Sequence, residues 1–184
     1  MDLQLRSTLV KVALPLLVIT GALVASMTLS RKKGIPLKDF GFARPKISTL
    51  CLWVGLWIVW MGVTEMIIPV MGLDQAKPWP NYPTLIIALR IVAIGILGPA
   101  AEELLVRGVF FAVVSRRMGA PAAILVCAVA WALAHYHYGW GTVVLVVLDG
   151  IFLGAARHYS RSIAVPIAMH MIGNLFSIYQ SLPR

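Results

Sequence analysis

Long apolar runs, each closed by a short polar stretch, divide this chain from end to end. They cover Leu9 to Leu29, about Ser48 to Met71, Thr84 to Arg117, about Pro121 to His135, Thr142 to Arg157 and Ile163 to Tyr179. No run alternates convincingly with period two, so helices rather than strands are expected. A bilayer core takes about 20 helical residues to cross, and the pattern predicts an all-α, polytopic membrane helix bundle of about six spans. Pro15 lies early in the first run, where a membrane helix tolerates it. The third run decides the topology. As a straight helix it would reach roughly 50 Å, well beyond a hydrocarbon core of about 30 Å. Gly95, Gly98 and Pro99 offer a bend, so one tilted, kinked helix is expected. Backbone groups freed at that bend must find partners inside the protein or in a wet cavity.

Composition narrows the class. The 184 residues are 60% hydrophobic and 12% charged, which excludes an ordinary soluble domain. The net charge of +9 does not indicate nucleic acid, because the basic residues gather at the ends of apolar runs. The loops Arg31–Lys46, Arg116–Gly119 and Arg157–Ser162 hold ten of the sixteen Lys and Arg residues. With six spans these loops fall on one side, the cytoplasm by the positive-inside rule, where they meet anionic headgroups. Both termini then lie outside. Splitting Thr84–Arg117 into two passes would put the later basic loops on the wrong side. The Arg31-Lys32-Lys33 cluster marks the first run as a retained anchor rather than a cleaved signal. The loop Gly72 to Pro83 carries Trp79, Tyr82 and several prolines, a composition suited to the membrane interface.

Several residues inside the runs read as packing. Cys51 and Cys127 have no metal or redox spacing and are expected in the core. Trp53, Trp57 and Trp60 share one side of the second helix, for packing or lipid contact. Gly150 and Gly154 have the spacing of a close helix crossing, with Asp149 beside them as a polar contact. Glu65 is expected either at the interface or paired with another helix.

Three polar pairs do not fit that reading. Glu103 and Arg107 are four apart on the third helix, as are Trp131 and His135 on the fourth and His170 and Asn174 on the last; residues at that spacing share a face. Glu103 and Arg107 are expected to form an intrahelical ion pair. Glu102, turned about 100° from its neighbour, is left to meet substrate. A charge at the centre of a membrane helix costs roughly 2.5–3.5 kcal/mol. The coincidence of carboxylate, two imidazoles and a carboxamide supplies a base, an orienting partner and hydrogen-bond donors, the set hydrolysis requires.

The three motifs, Glu102-Glu103-x-x-x-Arg107, Trp131-x-x-x-His135 and His170-x-x-x-Asn174, resemble the CAAX protease and bacteriocin-processing family of intramembrane endopeptidases. That family carries EExxxR, FxxxH and HxxxN or HxxxD on separate helices, with one helix between the last two. The order and spacing hold from about Leu85 to Tyr179. Trp131 stands where the family usually has Phe, a departure expected to bear on pocket shape rather than chemistry. His137 is a rival to His135, but two residues along a helix it would point to the opposite side.

The resemblance implies a glutamic-type protease with no covalent intermediate and no cofactor. Glu102, helped by His135, would deprotonate the attacking water. His170 and Asn174 would hydrogen-bond the oxyanion, while Glu103 and Arg107 would hold the helix. It implies a single structural domain, with residues 84–184 forming a four-helix catalytic core and residues 1–83 contributing two helices as scaffold or gate. The partners are the bilayer and a membrane-embedded protein or peptide substrate; the expected location is the bacterial inner membrane. A zinc site on Glu102, His135 and His170 is a rival mechanism, but no HExxH pair fixes two ligands on one helix. A non-enzymatic immunity or peptide-binding protein is the rival function. Counting along the helices places the site at or beyond mid-membrane, away from the basic loops. That depth favours a substrate cut from the outer side, such as a C-terminal sorting helix or secreted peptide, over prenylated-protein trimming.

Overall fold

A computed structural model describes residues 3–73 and 78–182; part of the Gly72 to Pro83 loop lies outside the described residues. Six helices form the bundle: α1 Leu3–Lys33, α2 Ile47–Val70, α3 Thr84–Met118, α4 Ala120–Leu133, α5 Trp140–Ser160 and α6 Ala164–Ser181. α1, α2, α3 and α5 are long and apolar enough to cross a membrane by length and composition. α4 has only 14 residues, about 21 Å of rise. α6 is diluted by its own His170, Asn174 and Gln180. The chain is an all-α membrane helix bundle.

α3 is continuous over 35 residues, but it is not one regular α-helix. Wide, five-residue hydrogen-bonded turns of π type occupy Ala93–Leu97 and Leu104–Phe110. Between them lies a six-residue α-helical piece, Gly98–Glu103, with Pro99 in its first turn. The bend expected at Gly95, Gly98 and Pro99 is thus a local widening of the helix. The carbonyls this irregularity releases are taken by other helices. Asn174 Nδ2 donates to Ile94 O at 2.9 Å, Arg157 Nε to Arg107 O at 3.1 Å, and Cys127 Sγ to Val106 O at 3.6 Å. Gly95 is buried where a side chain would strike Leu175 and Ile178 of α6.

α1 lies along α3, fixed by Arg90 Nε donating to the Thr8 hydroxyl at 3.1 Å. α4 and α5 make the closest crossing: at Gly150 a Cβ would lie 2.8 Å from Ala128 Cα, and Gly154 sits on Ile124. α2 backs α5 and α6. Trp57 is buried, Trp53 and Trp60 pack on Phe152, and Trp60 Nε1 donates to Asp149 Oδ1 at 2.6 Å. Glu65 accepts from Gln180 Nε2 at 2.8 Å, so it pairs with another helix. Cys127 is buried as expected, but Cys51 is exposed on the outer side of α2 and packs in no core. α2 is wrapped by protein on one side only, which leaves that thiol facing outward.

The basic loops meet at one end. Arg116 Nη1 bonds Asp39 Oδ2 at 3.2 Å, Arg157 Nη2 donates to Asp39 O at 2.6 Å, and Ile163 N–H donates to Gly41 O at 2.8 Å. Ser162 Oγ donates to Ala43 O at 2.6 Å, and Phe42 and Ser162 form an isolated β-bridge. At the other end Trp79 N–H donates to Ser181 O at 2.7 Å, Leu73 packs on Gly141, and the α4–α5 turn carries exposed Tyr136, Tyr138 and Trp140. The three basic loops thus gather at one end of the bundle.

Candidate active site

The polar residues of α3, α4 and α6 divide into two layers around Trp131. The inner layer is a fully buried clasp. Arg107 Nη1 donates to Glu103 Oε1 at 2.9 Å, and both side chains have no exposed surface. The arginine also donates from Nη2 to Gly150 O at 3.3 Å and lies with its guanidinium 4.5 Å from the Trp131 ring centroid. His170 Nδ1 meets the same Glu103 oxygen at 3.0 Å. The expected ion pair is present, and His170 is bound to it rather than to Glu102. Glu103 Oε2 and Arg107 Nε are buried with no hydrogen-bond partner among the described residues, so the pair is held at one point, not two.

The outer layer is half-buried. Trp131 Nε1 donates to Glu102 Oε2 at 2.7 Å. The carbonyl of the same residue meets His135 Nδ1 at 2.9 Å. The reason is local. α4 ends at Leu133, earlier than the apolar pattern implied, and the His135 N–H closes a tighter turn onto Ala132 O. Trp131 O thereby loses its usual backbone donor and takes the imidazole instead. Because a carbonyl only accepts, Nδ1 must carry the proton, which leaves Nε2 of a neutral His135 as the basic nitrogen. His135 and His170 rings sit 5.1 and 5.2 Å from the Trp131 ring, both edge-on.

Trp131 is therefore the hub, and this corrects the expectation that Trp in place of Phe concerns shape alone. Phe has no N–H; the indole holds the Glu102 carboxylate directly. His137 is corrected as well. Beyond Leu133 the chain is no longer α-helical, and the short turn Tyr136–Tyr138 brings the His137 ring beside His135, 6.4 Å away and near-parallel, rather than opposite it. Asn174, one turn beyond His170, places its amide on the Ile94 carbonyl of α3.

By its place in the sequence Arg157 belongs to a basic loop. It is buried at the end of α5, with its guanidinium against Gly41 and bonds to the Asp39 and Arg107 carbonyls. The donor role of Trp131 was missed although its indole N–H, which Phe lacks, signals it; nothing in the pattern separates Arg157 from the surface arginines. Among the described residues no three His, Cys, Asp or Glu side chains are grouped to hold a metal ion.

The family described as Rce1-like, type II CAAX prenyl endopeptidase Rce1-like, matches residues 84–176, half of the chain. The match runs from the start of α3 to within α6 and contains every polar residue of both layers. No curated protein and no solved structure matches the chain.

Proposed function

Since the chain belongs to the Rce1-like family of type II CAAX prenyl endopeptidases, we propose that this intramembrane peptidase works by a glutamic mechanism centred on Glu102 and His135. The observation that carries the reading is the double use of Trp131. Its indole orients one Glu102 oxygen while its carbonyl fixes the His135 tautomer, so one residue orients both the carboxylate and the imidazole, each of them half-buried. A water held there transfers a proton to Glu102, assisted by His135, as its oxygen attacks the peptide carbonyl. With its Nδ1–H donated to Glu103, His170 gives the oxyanion a hydrogen bond from Nε2 in its doubly protonated form, and a second comes from the amide hydrogen of Asn174 that Ile94 leaves free. A removed oxyanion donor costs roughly 2.7–4 kcal/mol in a serine protease. The tetrahedral centre then collapses, the C–N bond breaks, and the proton held by the Glu102–His135 pair passes to the leaving nitrogen. Glu103 and Arg107 keep α3 in place.

The substrate follows from position. His135 lies in the α4–α5 turn, at the end away from the basic loops, among exposed Tyr136, Tyr138 and Trp140. With those loops in the cytoplasm of a bacterial inner membrane, the site meets substrate from the outer side. We therefore favour a membrane protein or peptide cut beside its apolar segment, for example an exported protein's C-terminal sorting helix.

The test compares membrane peptides in cells carrying wild-type protein, Glu102→Gln or His135→Ala at equal levels. Intact precursors should accumulate in both variants, with processing reduced by about a hundredfold or more. Normal processing in both variants defeats the hydrolase reading. Loss of activity with a chelator, restored by zinc, replaces the glutamic mechanism with a metal one.

A further inference from the structure

We infer that Asn174, besides its bond to the oxyanion, positions Glu102: one side-chain N–H replaces a backbone donor that Pro99 lacks, and so fixes the wide turn of α3 that aims Glu102. In the Ala93–Leu97 turn the hydrogen bonds span five residues, and the Gly98 N–H bonds Ala93 O. In that register the next N–H, from residue 99, belongs to Ile94 O. Residue 99 is proline and has no N–H to give. Asn174 Nδ2 occupies that vacant donor position at 2.9 Å. The replacement is built in from the α6 side. Gly95 is buried against Leu175 and Ile178, and no side chain fits between the helices there, so α6 backs the turn at the level of its amide. The α-helical piece carrying Glu102 and Glu103 begins at Gly98, directly after the turn. An unmet carbonyl inside an apolar bundle favours rearrangement towards a register in which it is satisfied. Such a shift rotates the glutamates.

This rests on the peptidase reading for its activity arm and goes beyond it in giving Asn174 a partner on α3. The experiment is a double-mutant cycle of Asn174→Ala and Pro99→Ala. Pro99→Ala restores the missing N–H. Hydrogen exchange of peptides covering residues 92–104 is read on the purified chain in nanodiscs, and processing is read on the peptides that accumulate with Glu102→Gln. In the Pro99 background, Asn174→Ala should speed exchange by about tenfold and lower processing at least as much. Asn174→Asp, which as a carboxylate has no donor, should behave like Asn174→Ala. In the Pro99→Ala background the Asn174→Ala change should be nearly silent in exchange and at least tenfold less damaging to processing.

Equal effects of Asn174→Ala in both backgrounds overturn the inference, as does unchanged exchange in the single variant. Restored exchange without any recovery of processing also overturns it, because Asn174 would then act on substrate alone. If no peptides accumulate with Glu102→Gln, the peptidase reading fails while the exchange cycle still decides the hydrogen-bond role.

Discussion

Replacing Arg107 with methionine tests the energetics of the inner clasp. The substitution keeps an apolar chain of similar length but removes the cation from a fully buried site. Glu103 then keeps only His170 as a partner. Breaking a buried ion pair from one side costs about 3–5 kcal/mol, mostly because a charge is left behind. The single-point geometry, with Glu103 Oε2 and Arg107 Nε unpartnered, argues for the lower end. Loss of the guanidinium over Trp131 contributes about 0.5–2 kcal/mol more. We take about 4 kcal/mol. For a chain of this length each kcal/mol shifts Tm by about 2–4 °C, so the midpoint should fall by roughly 8–16 °C. Tryptophan fluorescence during thermal unfolding in nanodiscs measures it. Adding Glu103→Gln removes the stranded charge and should return more than half of the loss. A shift under about 2 °C, or a double variant as unstable as the two single losses added, refutes the reasoning.

Two further outcomes follow from the site and its orientation. Trp131→Phe keeps the ring beside both histidines but deletes the donor to Glu102, so kcat/KM should drop by about fivefold to thirtyfold with Tm nearly unchanged; undiminished cleavage would show that the indole N–H is idle. Reporters inserted in the Arg31–Lys46 loop should behave as cytoplasmic, and those in the Tyr136–Tyr138 turn as external. The reverse pattern removes the case for an outer-side substrate.

The six helices were legible because membrane burial is written as long apolar runs, and their limits match the runs to within about three residues except in α1. That helix begins at Leu3 rather than Leu9 and extends through Lys33, where basic side chains finish a helix readily. The small difference that matters for the site is in α4, which stops before His135, where the chain tightens into the aromatic turn. The Glu103–Arg107 pair was legible because four-residue spacing survives the onset of the second wide turn. The attachment of His170 to Glu103 was not legible, since spacing within a helix says nothing about how neighbouring helices are rotated. Arg157 was hidden for a related reason. A basic residue at a helix end looks like a topology signal, and only Gly41, with φ of 89° and no side chain in the way, lets the guanidinium fold inward.

Rotation is also why the site needs both wide turns of α3. Each inserts one residue into the helix, about 100° of turn, so Gly98–Glu103 is a short cassette whose facing is set independently of the helix on either side. A cassette so defined has no stiffness of its own: six residues are too few to hold a helix by propensity. Its orientation must come from whatever fixes the two insertions. On one side that is Asn174, on the other Arg157 and Cys127, all reaching α3 carbonyls from other helices. The glutamates thus take their alignment from α4, α5 and α6. Glu103 is locked because Arg107 and His170 converge on one of its oxygens in a buried site. Glu102, held through a single indole bond and half-exposed, is left able to exchange that partner for water. Adjacent carboxylates come to differ in this way: one is immobilised by the packing, and the other is positioned by it yet still open to chemistry.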